Sequence, residues 1–414
     1  MCNHAPLAPT IPEDEDFGDF VEDEDEAEDL EEVTEPWENY ETEGNKNIYY
    51  PICIGEVLNG RYLIEHKLGF GGGSTVLMAH DLREEKDVAL KVMSSWPWAE
   101  NEVRMQREIA ELVKDPSRLV TVLASFTLPV PASAPATAGG VEHHQVLVLP
   151  LMGPRINWHT LVKVSMATRM SAAWQLLEAL ESLHAAGIVH RDVSEGNCMW
   201  GTTSLAHLPR RAKYTELTRP LREKIPHVQS AYKTGELVRA ANAPNHLRTD
   251  AFHLGDFGLA KKLTDPETQR GYPDLKFCSP ERLHSHEPST ACDVWSYMVV
   301  FSILYLDFPL FTTIGGSVIG DDVLCLGPLP AEWRWSYTHP GGRDSWYDQS
   351  AEPDPRHDLA SKVALRRSHA DPAERAHVVA IMAKVFVYDP AKRPTAAELL
   401  ADPDFRAIMD RYGC

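Results

Sequence analysis

The sequence predicts an α+β chain in two units, a strand-rich one followed by a larger helix-rich one. Three observations predict it. Short β-branched runs punctuated by glycine crowd the region after the N-terminal stretch. Leucine at helical spacing takes over from about Trp158. The 414 residues, 43% of them hydrophobic, suffice for two or three domains of roughly 100–200 residues. The same composition excludes collagen-like, wholly disordered and coiled-coil chains.

The elements follow in order. Net charge is −21, but 18 of the 61 acidic residues fall between Glu13 and Glu43, where there is no Lys or Arg. The rest of the chain sets 43 acidic against 40 basic residues. Like charges this dense repel one another, so residues 1–45 are expected to be a disordered acidic tail, either a solvated arm or one that docks basic partners. Nucleic acid is disfavoured as a partner, because its phosphates would be repelled. RYLIEHKLG and STVLMAHD then flank a glycine cluster, and DVALKVM follows; together they read as an antiparallel meander. Glu100–Val113 reads as a helix with Val103, Ile109, Leu112 and Val113 on one side, stopped at Asp115-Pro116. LVTVLASF and HQVLVLPL are further strands, joined by the loop PVPASAPATAGG.

In the second unit, SAAWQLLEALESLHAAG places Leu176, Leu177, Leu180 and Leu183 at helical spacing and closes on Gly187. IVHRDV and FHLGDF are short strands. Between them, polar and basic residues 202–249 read as an insertion. Val294–Phe311 is the most apolar stretch, but Ser296, Ser302 and Asp307 interrupt it. It reads as a buried helix rather than a membrane span. The seven cysteines include no C-x-x-C pair and the N-terminus lacks a signal-peptide pattern, so a reduced, soluble chain is expected. There is no internal repeat.

Four motifs carry chemistry. Leu68-Gly69-Phe70-Gly71-Gly72-Gly73-Ser74 lies between two strands, so it is not a dinucleotide fingerprint, which opens a helix. Such a hairpin is either a plain turn or a fold of backbone N–H groups over phosphates. Lys91, in Val88-Ala89-Leu90-Lys91, can reach those phosphates if a carboxylate holds it. Glu108 is the candidate, because Leu112 follows it at core spacing; Glu100, Glu102 and Glu111 are the alternatives. In His190-Arg191-Asp192-Val193-Ser194-Glu195-Gly196-Asn197, Asp192 can take the proton of an attacking hydroxyl, and Asn197 can turn back to a metal ion. Asp256, in Gly255-Asp256-Phe257-Gly258, suits Mg²⁺ bridging phosphates.

In order and spacing, this set resembles the eukaryotic protein kinases over about residues 61–405. Ser279-Pro280-Glu281 is similar to that family's A-P-E. The resemblance implies a bilobal fold, with a small β-rich lobe over 46–152 and a larger α-helical lobe over 153–410 that includes the insertion. It implies ATP and Mg²⁺ between the lobes. Leu68–Ser74 would cover the phosphates; Lys91, Glu108 and Asp192 would be catalytic; Asn197 and Asp256 would hold the metal. Val76, Ala89 and Met199 would sandwich the adenine, and Leu149, Leu151 and Met152 would line its edge. Asp293 would brace the catalytic loop, and Arg393 would pair with Glu281. YYPICIGEVLNGRYLIEHKLGFGGGSTV and the long insertion resemble the SR-protein kinases within that family. That implies transfer to Ser or Thr, Arg/Ser-rich protein substrates, and a cytoplasmic or nuclear monomer without membrane contact. Asp321, Asp322 and Glu332 would be candidates for binding the substrate arginines.

The chain departs from the pattern where Ser194 and Gly196 stand. Related kinases carry a cation there, and Lys261 or Lys262 would have to substitute. The alternative reading is a pseudokinase scaffold that binds partners through its acidic tail.

Overall fold

The computed structural model describes residues 16–37, 40, 49–71, 73–94, 98–129, 143–225, 233–266, 271, 273–312, 318–337 and 354–414. Gly72 and most of the Pro/Ala-rich loop lie outside the described residues. The chain divides into two compact units. One comprises Met1–Val103, Val122–Gly153 and Thr202–Leu247; the other comprises Arg104–Thr121, Pro154–Gly201 and Arg248–Cys414.

The first unit is built on a six-stranded antiparallel sheet. Its order is Val57–Leu58, Tyr62–Gly71, Ser74–Asp81, Lys86–Met93, His143–Pro150 and Ala124–Pro129. Alternation sends Leu77, Ala79, Val88, Leu90, Val92, Val146 and Val148 into one hydrophobic cluster. Residues directly opposite in an antiparallel pair share a face. Val76 opposes Lys91, and Ala89 opposes Leu149, so these four lie together on the other face.

Over residues 16–37 the acidic stretch corrects the expectation of a disordered tail; residues 1–15, 38, 39 and 41–45 lie outside the described residues. Asp19–Phe20 pairs in parallel with Leu221–Lys224, which in turn pairs with Glu236–Val238. Glu24–Val33 is a helix, N-capped by Asp23, and its Leu30 is fully buried. Cations of the insertion offset the like-charge repulsion at the start of that stretch. Arg219 holds Asp16 at 2.6 Å and Asp19 at 2.5 Å. Arg210 and Arg222 lie over the rings of Phe17 and Phe20. Arg219 thus neutralises the start of the acidic segment, and both stretches belong to the strand-rich unit. The insertion, expected in the helical lobe, lies instead in the strand-rich unit over Thr202–Leu247.

The second unit is helical around Met166–Ala185 and Thr290–Leu306. The four expected leucines of the first helix are completely buried, as is nearly every residue of the second. Gly187 ends the first helix at φ +71°, a conformation that glycine adopts without steric cost. Among the described residues, no helix is long and apolar enough to cross a membrane.

Candidate active site

In the first unit, Tyr62–Gly71 and Ser74–Asp81 form the glycine hairpin, with Gly71 opposite Ser74. Gly69 is buried, Phe70 is exposed and Ser74 is buried. A Cβ placed on Gly71 or Gly73 would meet no atom of the described residues within 4 Å. That open space admits phosphate oxygens close to the backbone. Leu68 and Leu151 are half-buried against Met78, and Leu149 packs beside Met93 and Leu147. Met152 is half-buried at the start of the next strand.

Lys91 is buried, and its Nζ donates to Glu102 Oε2 at 2.7 Å. This corrects the assignment of Glu108. The helix runs Trp98–Leu112. Glu102, Met105 and Ile109 form its buried stripe, whereas Leu112 is 44% exposed. Glu108 lies six residues beyond Glu102, about 240° around the axis at 3.6 residues per turn. It takes Lys262 Nζ at 2.7 Å instead. The signal that would have found Glu102 was its i, i+3, i+7 spacing to Met105 and Ile109.

In the second unit, a buried carboxylate organises the catalytic loop. Asp293 accepts the backbone N–H groups of His190 (2.7 Å) and Arg191 (2.8 Å), and a hydrogen bond from His184 Nε2 at 3.0 Å. Burial opposes ionisation of Asp293, but the His184 bond and its neighbouring charges outweigh it and hold the carboxyl below the usual range. His190 is itself fully buried, which lowers its imidazole pKa. It faces Gly255 O at 3.1 Å and stacks edge-on against Phe257. Arg191 (φ +71°) and Asp256 (φ +63°) are held in left-handed conformations, a strain that persists where surrounding bonds enforce it.

Asn197 Nδ2 donates to both Asp192 O and Asp192 Oδ2 at 2.8 Å, and Gly255 N donates to Asn197 O at 2.9 Å. Asp192, Asn197 and the segment leading to Asp256 are therefore one hydrogen-bonded assembly. Asp256 is exposed, and its Oδ1 accepts from Gly258 N at 3.2 Å. Met199 is half-buried beside Gly255. Among the described residues, no cluster of three or more His, Cys, Asp or Glu is placed to hold a metal. Mg²⁺ needs only one or two protein oxygens beside phosphates and water, and the hard oxygens of Asp256 and Asn197 meet that requirement.

The remaining assignments divide. Arg393 forks onto Glu281 through two 2.7 Å bonds, both side chains buried. Lys262 is tied to Glu108 and Lys261 lies 3.7 Å from Glu287, so both are engaged. Two cations reach the catalytic loop that sequence reasoning missed: Lys276, 2.6 Å from Glu195, and Arg282, which donates to Arg191 O at 2.9 Å. Asp322 is buried, and Asp321 accepts from Thr312 and lies 3.8 Å from Lys362. Asp322 is thus closed to a substrate and Asp321 is half-buried, whereas Glu332 is exposed.

A hairpin with an open glycine backbone, a carboxylate-held lysine, and a braced Asp–Asn loop define a phosphotransferase of the kinase class. The chain belongs to the protein kinase domain family, whose model matches residues 62–209 and 241–405. It is 22% identical over 373 residues to a serine/threonine protein kinase of Aspergillus fumigatus, covering 87% of this chain and 88% of the relative. It is 29% identical over 168 residues to mouse SRSF protein kinase 3, covering 37% and 28%. Against the protein kinase dsk1 of Schizosaccharomyces pombe it is 32% identical over 171 residues, covering 36% and 28%.

Proposed function

We propose that this kinase transfers the γ-phosphoryl group of ATP to Ser or Thr hydroxyls of protein substrates in which arginine flanks the acceptor. The observation that carries the transfer is the catalytic loop, with Asp192 fixed through Asn197 and the loop backbone fixed through Asp293. Asp192 takes the proton of the attacking hydroxyl, help worth about 10²–10⁴-fold. Lys91, oriented by Glu102, would bind the phosphates beneath the glycine hairpin, with Val76, Ala89, Leu149, Leu151 and Met152 as base contacts of the strand-rich unit and Met199 as the one assigned to the helical unit. Asn197 and Asp256 would hold Mg²⁺, which neutralises charge on the phosphate oxygens. The rest of catalysis is positioning.

The similarity to SRSF protein kinase 3 supports arginine-flanked serine as the acceptor. Exposed Glu332 remains a candidate contact for it. The described cysteines are all free, in keeping with a reducing cytoplasm or nucleus. The test is phosphate incorporation from radiolabelled ATP into Arg-Ser and Lys-Ser repeat peptides, with and without EDTA. Metal-dependent transfer with Arg-Ser preferred is expected, since a forked guanidinium matches a carboxylate and an ammonium does not. Equal use of the two peptides would remove the substrate assignment and leave the kinase. Binding of ATP without transfer to any protein or peptide would favour the scaffold reading.

A further inference from the structure

We infer that the N-terminal acidic segment is a positioning element of the active site: Glu35, Tyr40 and Tyr49 set the glycine hairpin from the side of Lys67. The inference rests on the reading of that hairpin as the phosphate-binding loop.

Lys67 sits in the strand that leads into the loop, yet it is almost completely buried. A buried ammonium requires a partner, and Glu35, equally buried, supplies one through a direct ion pair. Tyr40 donates its hydroxyl to the same carboxylate. The Lys67 ammonium also lies 5.2 Å from the centroid of the ring of Phe70, within the loop itself. The strand register shifts between Lys67 and Gly69, so the chain bends into the loop at the point Glu35 holds.

A second contact reaches further out. Tyr49 donates its hydroxyl to the carbonyl of Gly71 at 2.5 Å. The rings of Tyr40 and Tyr49 are 5.8 Å apart and share a small buried cluster with Leu237 of the insertion. The insertion adds a backbone bond, from Ala241 N to Lys67 O at 2.7 Å. The loop is glycine-rich and open above Gly71 and Gly73, so its own side chains contribute little to its placement. Contacts from Glu35, Tyr40, Tyr49 and Ala241 restrain it instead. A loop so held needs less ordering when phosphates bind, which appears as a lower KM for ATP.

The test is steady-state kinetics on the full chain with Tyr49→Phe, Glu35→Gln, and the double variant Glu35→Gln/Lys67→Met. The double variant removes the ion pair without leaving a buried charge. Tyr297→Phe serves as a control, because it deletes a buried hydroxyl bond to Ala173 O in the helical unit. Tyr49→Phe is expected to raise the KM for ATP about five-fold, the worth of one hydrogen bond, with kcat and the KM for the protein substrate nearly unchanged. Glu35→Gln is expected to raise it further, and the double variant to keep a raised KM while recovering thermal stability. Tyr297→Phe should lower Tm without moving the KM for ATP. The inference is overturned if Tyr49→Phe and the double variant keep the wild-type KM for ATP, whatever their Tm. Lys91→Met, assayed alongside, separates the two levels. If it retains full ATP affinity and transfer, the phosphate site itself is misassigned.

Discussion

Two buried lysines in the strand-rich unit make the same kind of bond by different routes. Lys91 meets Glu102, 11 residues away on the next helix. Lys67 meets Glu35, 32 residues back, from a stretch dense in negative charge. The first pair sits on the face that carries Val76, Ala89 and Leu149 and serves the reaction; the second anchors the hairpin. In both, a buried cation dictates where a carboxylate must come from, because an unpaired charge in that interior is costly. The difference lies in how far along the chain the partner is found.

The sharpest break in this comparison comes from the chemistry. Lys91→Met and Asp192→Asn are expected to lower kcat by about 10²–10⁴-fold while leaving the far-UV circular dichroism of the wild type. Lys67 variants should stay within reach of wild-type kcat, so equal losses at both lysines would erase the distinction.

Deleting residues 1–45 is expected to cost stability, because it strands Lys67 without its partner. Removing one member of a buried pair costs about 3–5 kcal/mol, and about 2–4 °C of Tm accompanies each kcal/mol in a large domain. Calorimetry should therefore show a fall of about 6 °C or more. An unchanged Tm would mean that the segment is a solvated arm after all.

On the other lysine, Glu102→Gln is expected to reduce transfer about tenfold or more through loss of a charged hydrogen bond. Glu108→Gln, which frees only half-exposed Lys262, should change it less than about twofold. A reversal of that order would restore Glu108 to the site.

The smallest effect concerns a buried carboxylate at which nearby Lys362 and Arg393 do not outweigh burial. Burial, with Asp321 alongside, pushes the Asp322 carboxyl well above its usual range. A group whose folded-state pKa is raised holds its proton more tightly when folded. Its stabilisation is present at acid pH and is lost as pH rises from about 3.9 toward the folded value. Asp322→Asn should therefore gain in Tm relative to wild type between pH 4.5 and pH 7. A difference that is constant with pH would contradict the shift.

Much of the site was legible in the sequence because its constraints are local. Asp192 and Asn197 lie five residues apart, and the turn between them joins their side chains. Alternation within Lys86–Met93 put Ala89 and Lys91 on one face. The leucines of Met166–Ala185 announced their own core. Glu102 was less legible, because several carboxylates share that helix and the choice turned on Leu112, which faces outward. The acidic segment was misread for a different reason. Its composition describes a chain that repels itself, and that holds only in isolation. Arg219, Arg222 and Lys67 lie far away in sequence, and only the tertiary structure brings them to Asp16, Asp19, Phe20 and Glu35. Sequence alone determined the motifs, the sheet faces and the order of the two units, since those follow from periodicity and short spacing. Tertiary structure decided which carboxylate holds each buried lysine and which unit receives the insertion. Charge pairing depends on distance in space, and loop closure over long separations leaves no local pattern to read.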